Sequence, residues 1–275
     1  MKGKMKMYNS IYEVTARVLE HRDEVVKLGH DYFFVALQGS WNYMLDYEKS
    51  DVDTKALILP NFKQIVLNKK VISTTHIMEN NEHLDLKDVR VMFENFWKQN
   101  INFLEILFTN YVTVNPSYLK EYFELTRMAE DIAHYDEAKA LNCMCGMAME
   151  KYHALKHPYP AVAADIEKYG YSPKEFHHIL RMYNFLLNYI HGMSFKECLI
   201  YHSPYSKEQL MKAKLGEYSL NFAENVSAEL VSDMKELKDG YLENNKPSVN
   251  TKTRSAAEDV LYHVLENKFR FDLNI

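Results

Sequence analysis

The apolar pattern of this chain changes period at Asp88, and that change divides what it can fold into. From Tyr32 up to it, apolar residues come in short runs bounded by glycine, proline and polar clusters, as strands require. After it they recur every three or four positions, as in Val89, Met92, Phe93 and Phe96, which is the spacing of helices. Eight glycines and seven prolines in 275 residues are sparse punctuation, so those helices should be long. The expectation is an α+β protein: a small N-terminal domain, residues 1–115, with a mixed sheet flanked by helices, then an all-helical domain, residues 116–275.

Within the first part, Ile11 to Leu28 reads as an amphipathic helix with Val14, Val18, Val25 and Leu28 near one face, ended by Gly29-His30. Tyr32 to Leu37 reads as a buried strand and Asp51 to Leu59 as another, stopped by Pro60. Trp41 to Tyr47, between them, is expected to form a short helix after Gly39-Ser40. Val71 to His76, Glu82 to Lys87 and Tyr111 to Val114 are further strand candidates, and Asn100 to Phe108 a short helix. Beyond Pro116 the expected helices are residues 118–132, 137–155, 173–191, 206–213, 220–241 and 256–271.

The net charge of -5, with no basic stripe, argues against coating of duplex nucleic acid. A single polynucleotide end held in a local basic cleft stays open. Cys143 and Cys145 are not spaced as a zinc pair, and with Cys198 they leave an odd count, pointing to a reducing compartment. The N-terminal lysines are followed by no apolar run of a signal peptide, and no apolar stretch approaches the roughly 20 residues of a membrane span. A cytoplasmic protein without membrane contact is expected.

The segment with chemical content runs from Leu37 to Pro60: strand, Gly39-Ser40 turn, then Asp51-Val52-Asp53 opening an apolar strand. Residues two apart on a strand project from one face, so Asp51 and Asp53 point together while Val52 turns inward. Adjacent carboxylates repel unless a cation neutralises them, and hard oxygen ligands suit Mg²⁺ with substrate phosphates alongside. Glycine lets a backbone approach a phosphate closely, and Ser40 adds a hydroxyl. Taken singly, an Asp-x-Asp is most often two solvated charges at a strand edge and a Gly-Ser usually just a turn; their order and separation, with a strong strand on either side, give the pair its weight.

That arrangement resembles the DNA polymerase-β nucleotidyltransferase superfamily. Gly-Ser, an aromatic residue three positions on, and Ser-Asp-x-Asp leading to a strand closed by proline look like the RNA ligase-associated polymerase-β-type family of phages and bacteria. The likeness continues through His83-Leu-Asp-Leu-Lys87, Asn100-Ile-Asn102, Leu104-Glu-Ile-Leu-Phe108, the Lys174, His178, Arg181 series and Lys214-Leu-Gly-Glu-Tyr218. One departure is Met44, where family members tend to carry glycine.

The resemblance implies transfer of an NMP from an NTP to an acceptor hydroxyl with release of pyrophosphate, the acceptor being an RNA end. It places two Mg²⁺ or Mn²⁺ ions on Asp51, Asp53 and Asp85, with Asp85 also assisting the nucleophile. Gly39 and Ser40 would cradle the phosphates, and Lys174, His178 and Arg181 would meet the triphosphate. Glu79, Glu82 and Glu105 are rivals for the third carboxylate, with Glu105 rather expected to anchor packing between domains. Lys174, His178 and Arg181 fall at i, i+4 and i+7 and so share a helix face, as a merely solvated stripe also would. A protein or small-molecule acceptor, a helical ribonuclease built on the Arg127-x6-His134 spacing and a non-catalytic nucleotide-binding module are the alternatives. His153 and His157, also four apart, are read as structural.

Overall fold

The computed structural model describes residues 11–48, 50–160 and 162–275. Contacts group the chain into two compact units: residues up to Tyr135 together with Asn250–Ile275, and Asp136–Val249.

The first unit opens with α1 (Ile11–Lys27), whose Val14, Val18 and Val25 are buried along one stripe. Each such burial is worth roughly 1.5–3 kcal/mol. Gly29, at φ 80°, ends it, and the His30 N–H returns to the Val25 carbonyl at 3.1 Å. β1 (Asp31–Gln38) is followed by β2 (Asp53–Leu59), α2 (Phe62–Val66), β3 (Ser73–Ile77) and β4 (His83–Asp88). Pro60 ends β2, Asn61 and Gln64 form a reciprocal cap on α2, and the Asp88 carboxylate caps α3 (Val89–Trp97) through the Arg90 N–H. α4 (Ile101–Leu104), a 3₁₀ turn at Glu105–Leu107, β5 (Val112–Val114), α5 (Leu119–Arg127) and α6 (Ala129–Ala133) complete this stretch.

The five strands found among the described residues form one sheet in the order β3-β4-β2-β1-β5. β2 and β4 run parallel and the other neighbours antiparallel. One sheet face packs on α1 through Val25, Tyr32, Val35, Ala56, Ile58, Leu84 and Leu86. At the sheet end where β2 begins, Val52 is buried with Val14, Val18 and Leu37.

The second unit is helical. It contains α7 (Glu137–Ala154), α8 (Ala163–Tyr169), α9 (Pro173–Ile190), α10 (Phe195–Ile200), α11 (Lys207–Lys214) and α12 (Leu220–Asn245). α9 packs against α7, α10, α11 and α12, which explains why most of its residues are buried. Ser172 caps it and Pro173 occupies its first turn, where a missing N–H costs nothing. α13 (Thr251–Leu273) then returns to the first unit and packs on α2, α3, α5 and α6.

The boundary thus lies at 135/136 rather than the expected 115/116, and the C-terminal helix belongs with the sheet. The physical reason is visible at α5, whose Tyr122 meets the Phe34 ring of β1 edge-on at 5.2 Å. A helical period shows that a segment buries one face, but not which core receives it. The expected helix at Trp41–Tyr47 is a run of turn followed by irregular chain, and α2, α8 and α10, five to seven residues each, are too short to show a period.

Candidate functional site

Strand register builds a polar corner at one end of the sheet. β1 and β2 pair with Gln38 opposite Asp53, so the Gly39-Ser40 turn leaving β1 lies at the sheet end where Asp51 and Asp53 lead into β2. The Ser40 and Ser50 hydroxyls are 3.4 Å apart, and Ser50 accepts the Tyr47 N–H at 3.0 Å, tying the turn to the residue before Asp51. Val52 is fully buried while Asp51 is exposed and Asp53 half-buried. The strand itself begins at Asp53, which leaves Asp51 in the connecting segment. The Asp53 Oδ1 accepts the His83 N–H at 2.8 Å, and the His83 ring lies 3.6 Å away.

β4 brings Asp85 to the same end, opposite Lys55 of β2 and Thr75 of β3. Asp85 does not stand free on a solvated strand face. The Thr75 hydroxyl donates to its Oδ1 at 2.5 Å, the Gln38 amide to its Oδ2 at 3.2 Å, and the Lys55 Nζ lies 3.6 Å from Oδ2. Burial pushes its carboxyl up, but the Thr75 bond, the Lys55 and Lys87 charges and the Gln38 bond outweigh it and hold Asp85 below the usual carboxylate value. The same burial pushes the Lys55 ammonium down, opposed by Glu105 and then Asp85.

The rivals for the third carboxylate separate cleanly. Glu82 is buried on the α1 side, where its Oε2 takes Arg17 Nε at 2.9 Å and lies 3.0 Å from His21 Nε2. Glu79 is exposed beyond β3. Glu105, expected to join domains, instead sits inside the first unit: buried, it accepts the Gly39 N–H at 3.2 Å and the Asn42 amide at 3.5 Å. The Gly39 amide, expected to face a phosphate, is therefore engaged with a carboxylate. Among the described residues no three His, Cys, Asp or Glu side chains converge as a ready-made metal cage.

Met44, the departure from the family pattern, has φ 57°, a left-handed conformation that glycine adopts without strain. The turn here is closed by Asn42 N–H to Gly39 O at 2.9 Å and Leu45 N–H to Ser40 O at 3.0 Å, and no helix N-terminus forms.

Sequence reasoning missed Lys55 and the buried chain His21–Thr54, in which His21 Nδ1 lies 2.8 Å from Thr54 Oγ1. That chain clamps β2 from the face opposite Asp53. Its signal was present: Arg17 and His21 fall four apart on the same stripe of α1 as three core valines.

In the helical unit, the α9 series is graded by packing. Lys174 is exposed, His178 partly covered and Arg181 buried. Burial, then the neighbouring Arg181 and His177 charges, hold the His178 imidazole neutral well below its ordinary value. His177, which points elsewhere, is buried with Nδ1 2.9 Å from the Leu210 carbonyl, and burial takes it down to about 3. The Lys214–Tyr218 segment has a packing role: Gly216, at φ 73°, leaves no room for a Cβ, which would fall 2.7 Å from the Tyr169 ring. Tyr218 presents its carbonyl to the Tyr171 hydroxyl at 2.9 Å.

Arg127 ends α5 and His134 follows α6, so the ribonuclease-like spacing is not carried by one helix. His153 and His157 are exposed at and beyond the end of α7. None of the described helices is long and apolar enough to cross a membrane. Compared with protein-family models and with curated proteins, the chain matches none.

Proposed function

We propose that this sheet corner is the active site of a divalent-cation-dependent nucleotidyltransferase, with a polymerase-β-like first unit, that moves an NMP from an NTP to a hydroxyl at an RNA end. The observation that carries the reading is the register of β1 on β2, which sets a glycine-serine turn against an Asp-x-Asp pair. Two carboxylates reach the surface there, with the hard oxygens that Mg²⁺ or Mn²⁺ requires and with room for substrate oxygens in the remaining positions. When bound, the metal neutralises the triphosphate and stabilises the attacking and leaving oxygens.

The chain's own residues supply the rest. Val52, locked in the core, fixes the direction in which Asp51 and Asp53 project. Thr54, held by His21, keeps β2 from sliding. Ser40 offers a hydroxyl to the phosphates, and the Gly39 N–H joins it by leaving Glu105 for a phosphate oxygen. Asp85, ion-paired with Lys55 and held below the usual carboxylate value, is a poor proton acceptor from a hydroxyl, so its part is to orient the polar cluster beside the acceptor. In the helical unit Lys174 is the exposed member of the α9 series.

The test is incubation with each α-labelled NTP, Mg²⁺ or Mn²⁺, and RNA, DNA, protein or small-molecule acceptors. Label on RNA ends with pyrophosphate released, lost in Asp53→Asn, is the expected result. Label on another acceptor keeps the enzyme class and moves the substrate. Absence of metal-dependent turnover with every NTP, or RNA cleavage without NTP, overturns the reading.

A further inference from the structure

Lys55 is the charged group of the corner that the proposed chemistry leaves unused. It lies two residues after Asp53 on the same face of β2, and only 4% of its surface is exposed. Its Nζ hydrogen-bonds the Gln38 Oε1, stands 3.6 Å from Asp85 Oδ2 and lies 5.1 Å from the centre of the Phe103 ring. Asp85 is its ion-pair partner, and Glu105, which accepts the Gly39 N–H beside Gln38, is the second carboxylate acting on it. Both carboxylates are largely withdrawn from water, Glu105 at 2% residue exposure and Asp85 at 19% side-chain exposure. Buried carboxylates persist as charges only beside a compensating cation. In this chain that cation is built in, on a stem rooted in the catalytic strand and steered by Gln38, the residue opposite Asp53.

We propose that the Lys55 ammonium is the resident cation of the site, balancing Asp85 and Glu105 where a second divalent ion would otherwise be needed, so that the chain binds a single divalent ion at Asp51 and Asp53. The proposal rests on the nucleotidyl-transfer reading and replaces its two-metal form. A dication brought against Asp85 would meet Lys55 on the same oxygen, and like charges at that separation in a half-buried site repel strongly. Asp51 and Asp53, nearer the surface, offer a carboxylate pair outside that contact.

The experiment counts Mn²⁺, added alone, by the electron paramagnetic resonance signal of the free ion and by equilibrium dialysis. The wild-type chain should bind one Mn²⁺, Asp53→Asn should lose it, and Lys55→Met should bind two. Two ions on the wild type overturn this inference while leaving the carboxylate site standing, and a Lys55→Met count that stays at one overturns it as well. No ion on the wild type, or one that survives Asp53→Asn, overturns this inference, and the NTP turnover assay decides the nucleotidyl-transfer reading beneath it. Thermal unfolding checks each variant. Lys55→Gln, which keeps a polar head for Gln38, replaces Lys55→Met if that variant does not fold; if neither folds, the wild-type count with Asp53→Asn decides.

Discussion

Two clusters of charge stand out in this chain, one on the sheet and one on α9, and packing treats them differently. At the sheet corner, the strand alternation buries Val52 and leaves Asp51 and Asp53 reaching the surface. On α9, neighbouring helices cover most of the element, leaving Arg181 7% exposed and lowering the pKa of the partly covered His178. Equal spacing in sequence therefore gives unequal chemistry. The first residues of a strand, at the end of the sheet, stay near water even on a central strand, whereas a helix at the centre of a bundle has little open face left, and its cations serve packing first. On this view, substitutions at the corner should change turnover and those on α9 should change stability.

The largest effect tests the corner. Asp51→Ala and Asp53→Ala should each lower nucleotidyl transfer by more than about a hundredfold, typical of removing a main electrostatic stabiliser. Their thermal midpoints should stay near the wild-type value, since both side chains lie at the surface or half-covered. Near-normal turnover in either variant breaks the assignment.

The second test is on α9. Arg181→Ala removes a long stem from a packed site and should cost about 2 kcal/mol of stability, read from denaturant midpoints. An unchanged midpoint would reverse the comparison.

What the sequence made legible follows the same divide. The α+β class, the five strands and the inward turn of Val52 came from periodicity, because alternation and helical spacing are local. Membership of α5, α6 and α13 in the first unit was not legible, since only tertiary contacts such as Tyr122 on Phe34 decide it. The Asp51, Asp53 and Gly39-Ser40 elements were legible as types, and the register that joins them needed the β1–β2 pairing. Lys55 was passed over because a lysine two residues along a strand reads as solvated, and its burial depends on Phe103 and Glu105, some fifty positions away.

The helical unit should also respond to acid through His177. Its folded-state value, about 3, lies below the usual 6.5, so the unfolded chain binds the extra proton between those values. Stability contributed by the neutral imidazole is complete above about pH 6.5 and is lost as pH falls toward 3. From pH 7 to pH 5 the loss should be about 2 kcal/mol. His177→Gln should flatten that slope while lowering stability at pH 7. A slope identical to wild type would show that the histidine is not buried as a neutral group.

The smallest effect concerns the turn between the two halves of the corner. Met44 holds φ 57° with 55% of its surface exposed, so little apolar burial repays the left-handed strain. For a residue with a Cβ that conformation costs roughly 1–2 kcal/mol. Replacing it by glycine removes the strain but gives the unfolded chain more freedom, worth roughly 0.5–1 kcal/mol in the opposite direction. Met44→Gly should therefore raise stability by about 0.5 kcal/mol, a shift of a degree or two in Tm for a chain of this size. The turn hydrogen bonds from Asn42 and Leu45 involve backbone atoms alone, so they survive the change and Gly39-Ser40 keeps its place opposite Asp53. Turnover should be unchanged within about twofold. A variant that is more stable yet markedly slower would show that the methionine side chain itself contacts the nucleotide or acceptor, which would extend the open face of the corner beyond the carboxylates.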